Sequence, residues 1–99
     1  MIAPFKTATV LDSPAALGPV VRARRKSQAL RIDDAAGLVG VSVDLLSRLE
    51  NAQGSVRLDK AMAVLDGLGL ALMVVPKEHP WALQARNPGR TAPDETAGE

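Results

Sequence analysis

The chain has no cysteine, which excludes disulfides and thiolate metal sites. It has no tyrosine, one phenylalanine and one tryptophan, so any core must be built from Leu, Val and Ala. An aliphatic, Ala-rich core in 99 residues suits packed helices and leaves dimerisation as a source of extra buried area. Apolar residues make up 46 %, enough for a globular domain rather than a disordered chain. Histidine is as scarce: His79 stands alone. Asp33 and Asp34 are adjacent at an expected helix start, where carboxylates suit the helix dipole, and they point different ways. No nucleophile, base and orienting group converge, so catalysis is not expected, and neither is a metal or cofactor. The longest apolar run, Leu68 to Val75, contains Gly69 and is far shorter than the roughly 20 residues that span a bilayer. No charged N-terminal region precedes an apolar one, so no signal peptide is expected and the expected location is cytoplasmic.

The most informative stretch is Ile32 to Asn51, IDDAAGLVGVSVDLLSRLEN. It reads as two short helices, about 32–39 and 43–50, joined by a tight turn. Ala36 supplies the small residue that two steeply crossed helices need at their contact. Gly40 sits where the first helix must stop with φ > 0. Val41 is placed to plug the gap beneath the turn. Ser42 is placed to cap the next helix by accepting from the amide of Asp44 or Leu45. Leu45, Leu46 and Leu49 share one face, which leaves Ser42, Val43, Asp44, Ser47 and Arg48 exposed. This is the pattern of a helix-turn-helix, whose second helix enters the DNA major groove. A plain helical hairpin in a small bundle asks for many of the same residues, so the context must decide.

Charge supplies part of that context. Net charge is only +1. Residues 17–60, however, carry eight Lys/Arg against five Asp/Glu, whereas residues 76–99 carry three against four. The positive excess lies with the helix pair, as phosphate binding requires.

Around this stretch, residues 4–11 (PFKTATVL) read as a short strand. Ser13 and Pro14 start a helix that runs to about Ser27, with Leu17, Val20 and Val21 on its buried face and Leu30 closing that side. A fourth helix, about 58–66, aligns Leu58, Met62, Leu65 and Leu68, and Gly67 and Gly69 end it. Leu70 to Val75 reads as an apolar strand stopped by Pro76. Beyond it the composition turns to Pro, Gly, Ala, Thr and charge, and disorder is expected from about Asn87. A lone strand leaves its N–H and C=O groups unpaired. Strands 4–11 and 70–75 therefore either pair within one chain or pair across a dimer axis. The dimer is favoured, with Leu70, Leu72 and Val74 at the interface, because two helix-turn-helix units about 34 Å apart match successive major grooves. The expected organisation is a strand segment at 1–12, a DNA-binding domain at 13–69, a dimerisation strand at 70–76 and a flexible tail at 77–99.

Residues 17–68 resemble the lambda-repressor-like domains of the Xre/Cro class. The resemblance rests on Leu17-Gly18, RARRK at 22–26, Leu30, Ala36, LVGVS at 38–42 and SRLEN at 47–51. The following SVRLDKAMAVLDGLGLALMVV, and the SPAALG at 13–18, resemble more narrowly the HipB-like antitoxins, in which a fourth helix leads into an intersubunit strand. The implied fold is mostly α: a helix-turn-helix bundle of four to five helices, with short terminal strands forming a dimer sheet. The resemblance implies an Arg25–Glu50 ion pair that fixes the angle between the first and third helices. It places Val43, Asp44, Ser47 and Arg48 at base-reading positions. There Arg48 suits guanine O6 and N7, Asp44 a cytosine N4 amine and Val43 a thymine methyl. It places Ser42 and Asn51 at backbone-anchoring positions.

Three features depart from that class. Arg31 and Ile32 stand where a cap residue and a phosphate-binding Gln are usual, which leaves Arg31 to take over the phosphate. Ala52 replaces a usual Gly, and Gln53 replaces a frequent Lys in a phosphate-binding position. The implied function is a repressor of its own operon that binds a palindromic operator as a homodimer and pairs with a HipA-like serine/threonine kinase. Trp81 is the candidate anchor for that partner. A stand-alone regulator, or an interaction module with a vestigial helix-turn-helix, is the alternative.

Overall fold

The helices of the central region lie within a residue of the spans expected from the sequence, except that the first opens with a 3-10 turn. The structure, a computed structural model, describes residues 9–86. It divides into Leu11–Leu72 and a second unit formed by the stretches before and after that region. In the first unit Ser13 is extended, its carbonyl accepts the Ala16 amide, and a 3-10 turn at Pro14–Ala16 leads into α1, Leu17–Ser27. Then come α2 (Ile32–Val39), α3 (Val43–Glu50) and α4 (Leu58–Gly67). Ser42 Oγ accepts the Leu45 amide at 3.0 Å, capping α3 as expected.

The four helices end alike. In each, an amide just past the helix returns to a carbonyl of its last turns: Leu30 to Arg25, Val41 to Ala36, Gln53 to Arg48 and Leu70 to Leu65. That closure needs one left-handed residue just before the returning amide. Gly40 and Gly69 fill this place at φ 78°, but Ala29 (57°) and Ala52 (55°) fill it with a Cβ that disfavours it.

The core consists of Val21, Ala35, Ala36, Leu46, Leu49, Val64, Leu65 and Leu68. Leu17, Leu30, Ile32, Val39, Val41, Val56 and Leu70 pack around it. Each fully buried Leu or Val adds about 1.5–3 kcal/mol relative to exposure. Two glycines set how closely the helices approach. A Cβ on Gly18 would come 2.5 Å from the Glu50 carbonyl oxygen, and one on Gly67 would come 2.5 Å from Val39 Cγ1.

The structure corrects the expected face of α4. Ala61, Val64, Leu65 and Leu68 are buried, while Leu58 and Met62 are 68 % and 48 % exposed. Gly67 lies close against Val39 of α2, and the roll that goes with this contact leaves Leu58 and Met62 facing outward. Among the described residues there is no strand. Residues 70–75 carry no regular element, and no other described residue forms a strand that could pair with them. The strand expected at 4–11 lies outside the described residues except for 9–11, which are irregular. In the second unit, residues expected to be tail form a helix instead, α5, Pro80–Arg86. Its cap is His79, whose Nδ1 accepts the Trp81 amide at 3.1 Å, with Pro80 in the first helical position. The expectation of disorder from Asn87 onward lies outside the described residues. No helix among those described is long and apolar enough to cross a membrane.

Candidate nucleic-acid interface

Helix α3 is held from behind by apolar packing and from its C-terminal end by one ion pair. Leu46 and Leu49 are buried, and Leu45 is half-buried. Arg25 Nε donates to Glu50 Oε2 at 2.7 Å and Arg25 Nη2 donates to Glu50 Oε1 at 2.9 Å. Arg25 Nη1 also donates to the Leu30 carbonyl at 2.9 Å. The two side chains are only 11 % and 4 % exposed. The Glu50 hydrogen bonds outweigh desolvation and raise the Arg25 pKa above its ordinary value. One guanidinium thus ties α1, the turn after it and α3 together, as the Arg25–Glu50 expectation requires.

What α3 turns outward are Ser42, Val43 and Asp44, exposed, and Ser47 and Arg48, half-buried. The base-reading set named from the sequence therefore lies together on the open side of one helix. Arg48 is already engaged there. Its Nε donates to Asp44 Oδ2 at 3.1 Å and its Nη1 donates to the Ser55 carbonyl at 3.2 Å. The carbonyl of Ser55 was not foreseeable from side-chain patterns, because the contact is made by backbone.

Of the phosphate-binding candidates, Arg31 precedes α2 and is 81 % exposed at its side chain, 3.4 Å from Asp33. Ile32, where a phosphate-binding Gln is usual, packs on the core instead. Ser42 spends its oxygen on the cap of α3. Asn51 folds back, its Nδ2 donating to the Ser47 carbonyl at 2.9 Å. Gln53 is exposed in the loop. In the basic run on α1, Arg22 and Lys26 are exposed, whereas Arg24 and Arg25 are half-buried. Arg24 Nε and Gln28 Nε2 both donate to the Leu68 carbonyl, at 2.8 and 3.1 Å, and so hold the end of α4. Their spacing of four residues was the available signal.

A small residue under the crossing, a left-handed Gly40, a capped second helix and an open polar face on it define a helix-turn-helix domain. Residues 16–74 match the family described as helix-turn-helix domain. The chain is also similar to the HTH-type transcriptional regulator y4mF of Sinorhizobium fredii, 34 % identical over 65 residues that cover 66 % of this chain and 86 % of that protein. The chain belongs to the helix-turn-helix family of DNA-binding transcriptional regulators.

Proposed function

We propose that this protein is a sequence-specific repressor that binds a palindromic operator as a homodimer. We propose further that it is the HipB-like antitoxin of a type II pair, autoregulating its operon and docking a HipA-like serine/threonine kinase. The observation that carries the DNA-binding part is the open face of α3, with Val43, Ser47 and Arg48 fixed on a helix that Arg25 and Glu50 hold at one angle. In this reading Arg48 reads a guanine and Val43 meets a thymine methyl, while Arg31 and Gln53 lie toward phosphates. Arg48→Ala should cost about 1–3 kcal/mol on operator DNA and relax preference at one base pair. Equal losses on operator and random DNA would argue against base reading.

Dimerisation is supported by the apolar side chains that one chain leaves uncovered. Leu72 is 46 % exposed and Val74 is 92 % exposed, whereas Leu70 lies against the core. The antitoxin role is supported by the resemblance of residues 55–75 to that group and by Trp81 at the start of a capped helix, its ring edge-on to His79. The printed name of the Sinorhizobium protein speaks only of transcriptional regulation, which favours a stand-alone regulator as the second reading. Light scattering of the chain mixed with the product of a kinase gene adjacent to its own separates the two. A stable complex supports the antitoxin, and no complex supports the stand-alone regulator.

A further inference from the structure

We infer that Asp44 does not read a base of its own but positions Arg48, so that the two form one reading unit on α3. The inference rests on the DNA-binding reading above. Asp44 and Arg48 are one helical turn apart, and Arg48 Nε donates to Asp44 Oδ2 at 3.1 Å. An isolated exposed pair of this kind fixes little, because solvent competes and the long arginine side chain resists ordering. Here a second anchor acts at the other end of the guanidinium. The Ser55 carbonyl accepts from Nη1, and Gly54, left-handed at φ 72°, sets the turn just before it. Two acceptors on opposite sides, one on the helix and one on the loop, hold a planar group in one orientation. Nη2 is the nitrogen that neither acceptor engages.

Electrostatics point the same way. A bare carboxylate on the groove face repels the phosphates on either side of it, and its charge must be offset for the helix to approach. Arg48 offsets it within the same turn. A carboxylate spent on Arg48 is a poor independent acceptor for a cytosine amine. Asp44 is therefore a positioning residue, and its loss should be felt at the base that Arg48 reads.

The test uses the full 99-residue chain and a randomised double-stranded DNA library, selected in parallel with the wild type, Asp44→Asn, Arg48→Ala and the double variant. The side chain of Asp44 is 82 % exposed, so Asp44→Asn leaves the core intact, and circular dichroism checks this. The expected result is that Asp44→Asn and Arg48→Ala lose discrimination at the same base pair, on the order of tenfold, with the double variant no worse than Arg48→Ala. Asp44→Glu, which keeps the charge within reach, should restore part of the preference. Asp44→Asn changing preference at a different base pair, additively with Arg48→Ala, would make Asp44 an independent reader and overturn the inference. Unchanged preference in Asp44→Asn would overturn it as well. A wild-type chain that selects no motif contradicts the underlying DNA-binding reading itself, and the inference falls with it.

Discussion

Gly18 on α1 lies against the carbonyl of Glu50 on α3, so close that a Cβ in its place would come 2.5 Å from that oxygen and 2.8 Å from the carbonyl oxygen of Leu49. Both obstacles are backbone and cannot swing aside. Gly18→Ala should therefore push α3 outward and cost about 1–3 kcal/mol of stability, as overpacking does. Chemical denaturation of the variant measures this. A stability equal to wild type would show that α1 and α3 are not in contact there.

The Arg25–Glu50 pair makes a second test. Replacing Glu50 by Gln leaves a mostly buried guanidinium without its counter-charge, and the expected loss is about 3–5 kcal/mol. Replacing both residues with apolar ones of similar volume should cost much less. The pH dependence follows from the raised Arg25 pKa. A cation whose folded pKa is raised contributes its full stabilisation below its unfolded value and loses it only as pH rises through the folded one. The Arg25 side of the pair is thus fully in place throughout the neutral range, and alkaline titration to about pH 10 should not weaken it.

Ala29 and Ala52 occupy left-handed positions that Gly40 and Gly69 occupy at the equivalent ends of α2 and α4. Left-handed backbone costs a residue with a Cβ about 1–2 kcal/mol, and glycine gives back part of that gain through its greater entropy when unfolded. Ala29→Gly and Ala52→Gly should each stabilise by about 0.5–1 kcal/mol, which raises the melting temperature by several degrees in a domain of this size. A lower melting temperature in either variant would show that the chain does not turn left-handed at that position.

Much of this was legible before the structure. The bounds of α2 and α3, the cap at Ser42 and the turn at Gly40 follow from local spacing and the chemistry of caps, and the ion pair from Arg25 to Glu50 follows from the family resemblance. Ser42, Val43 and Asp44 are exposed as read, and Ser47 and Arg48 are open only in part. What spacing could not give was the roll of α4. Leu58 and Met62 fit an apolar stripe as well as Ala61 and Val64 do, and the choice was made by how closely Gly67 approaches Val39. Nor could it give α5, because the stretch from Pro76 to Pro80 is marked by proline and charge, while the cap of the helix is an uncommon one, His79. The bond from Arg48 to the Ser55 carbonyl was hidden for a related reason, since backbone acceptors leave no trace in residue identity.

The uncovered apolar side chains of residues 72–74 give a prediction about assembly. The full chain should be a dimer by light scattering, and a chain ending at residue 69 should be a monomer whose helical circular dichroism falls only by the share of the deleted α5. An unchanged mass on truncation would move the interface elsewhere, with the exposed Leu58 and Met62 on α4 the next place to test.

The most direct test of DNA recognition by the α3 face is a gel shift on the DNA immediately upstream of the chain's own coding sequence, at two salt concentrations and with random competitor. The account predicts a complex that survives competitor and weakens steeply with salt, as release of counterions from contacted phosphates requires. A complex no stronger than that with random DNA, or none at either salt concentration, would contradict it.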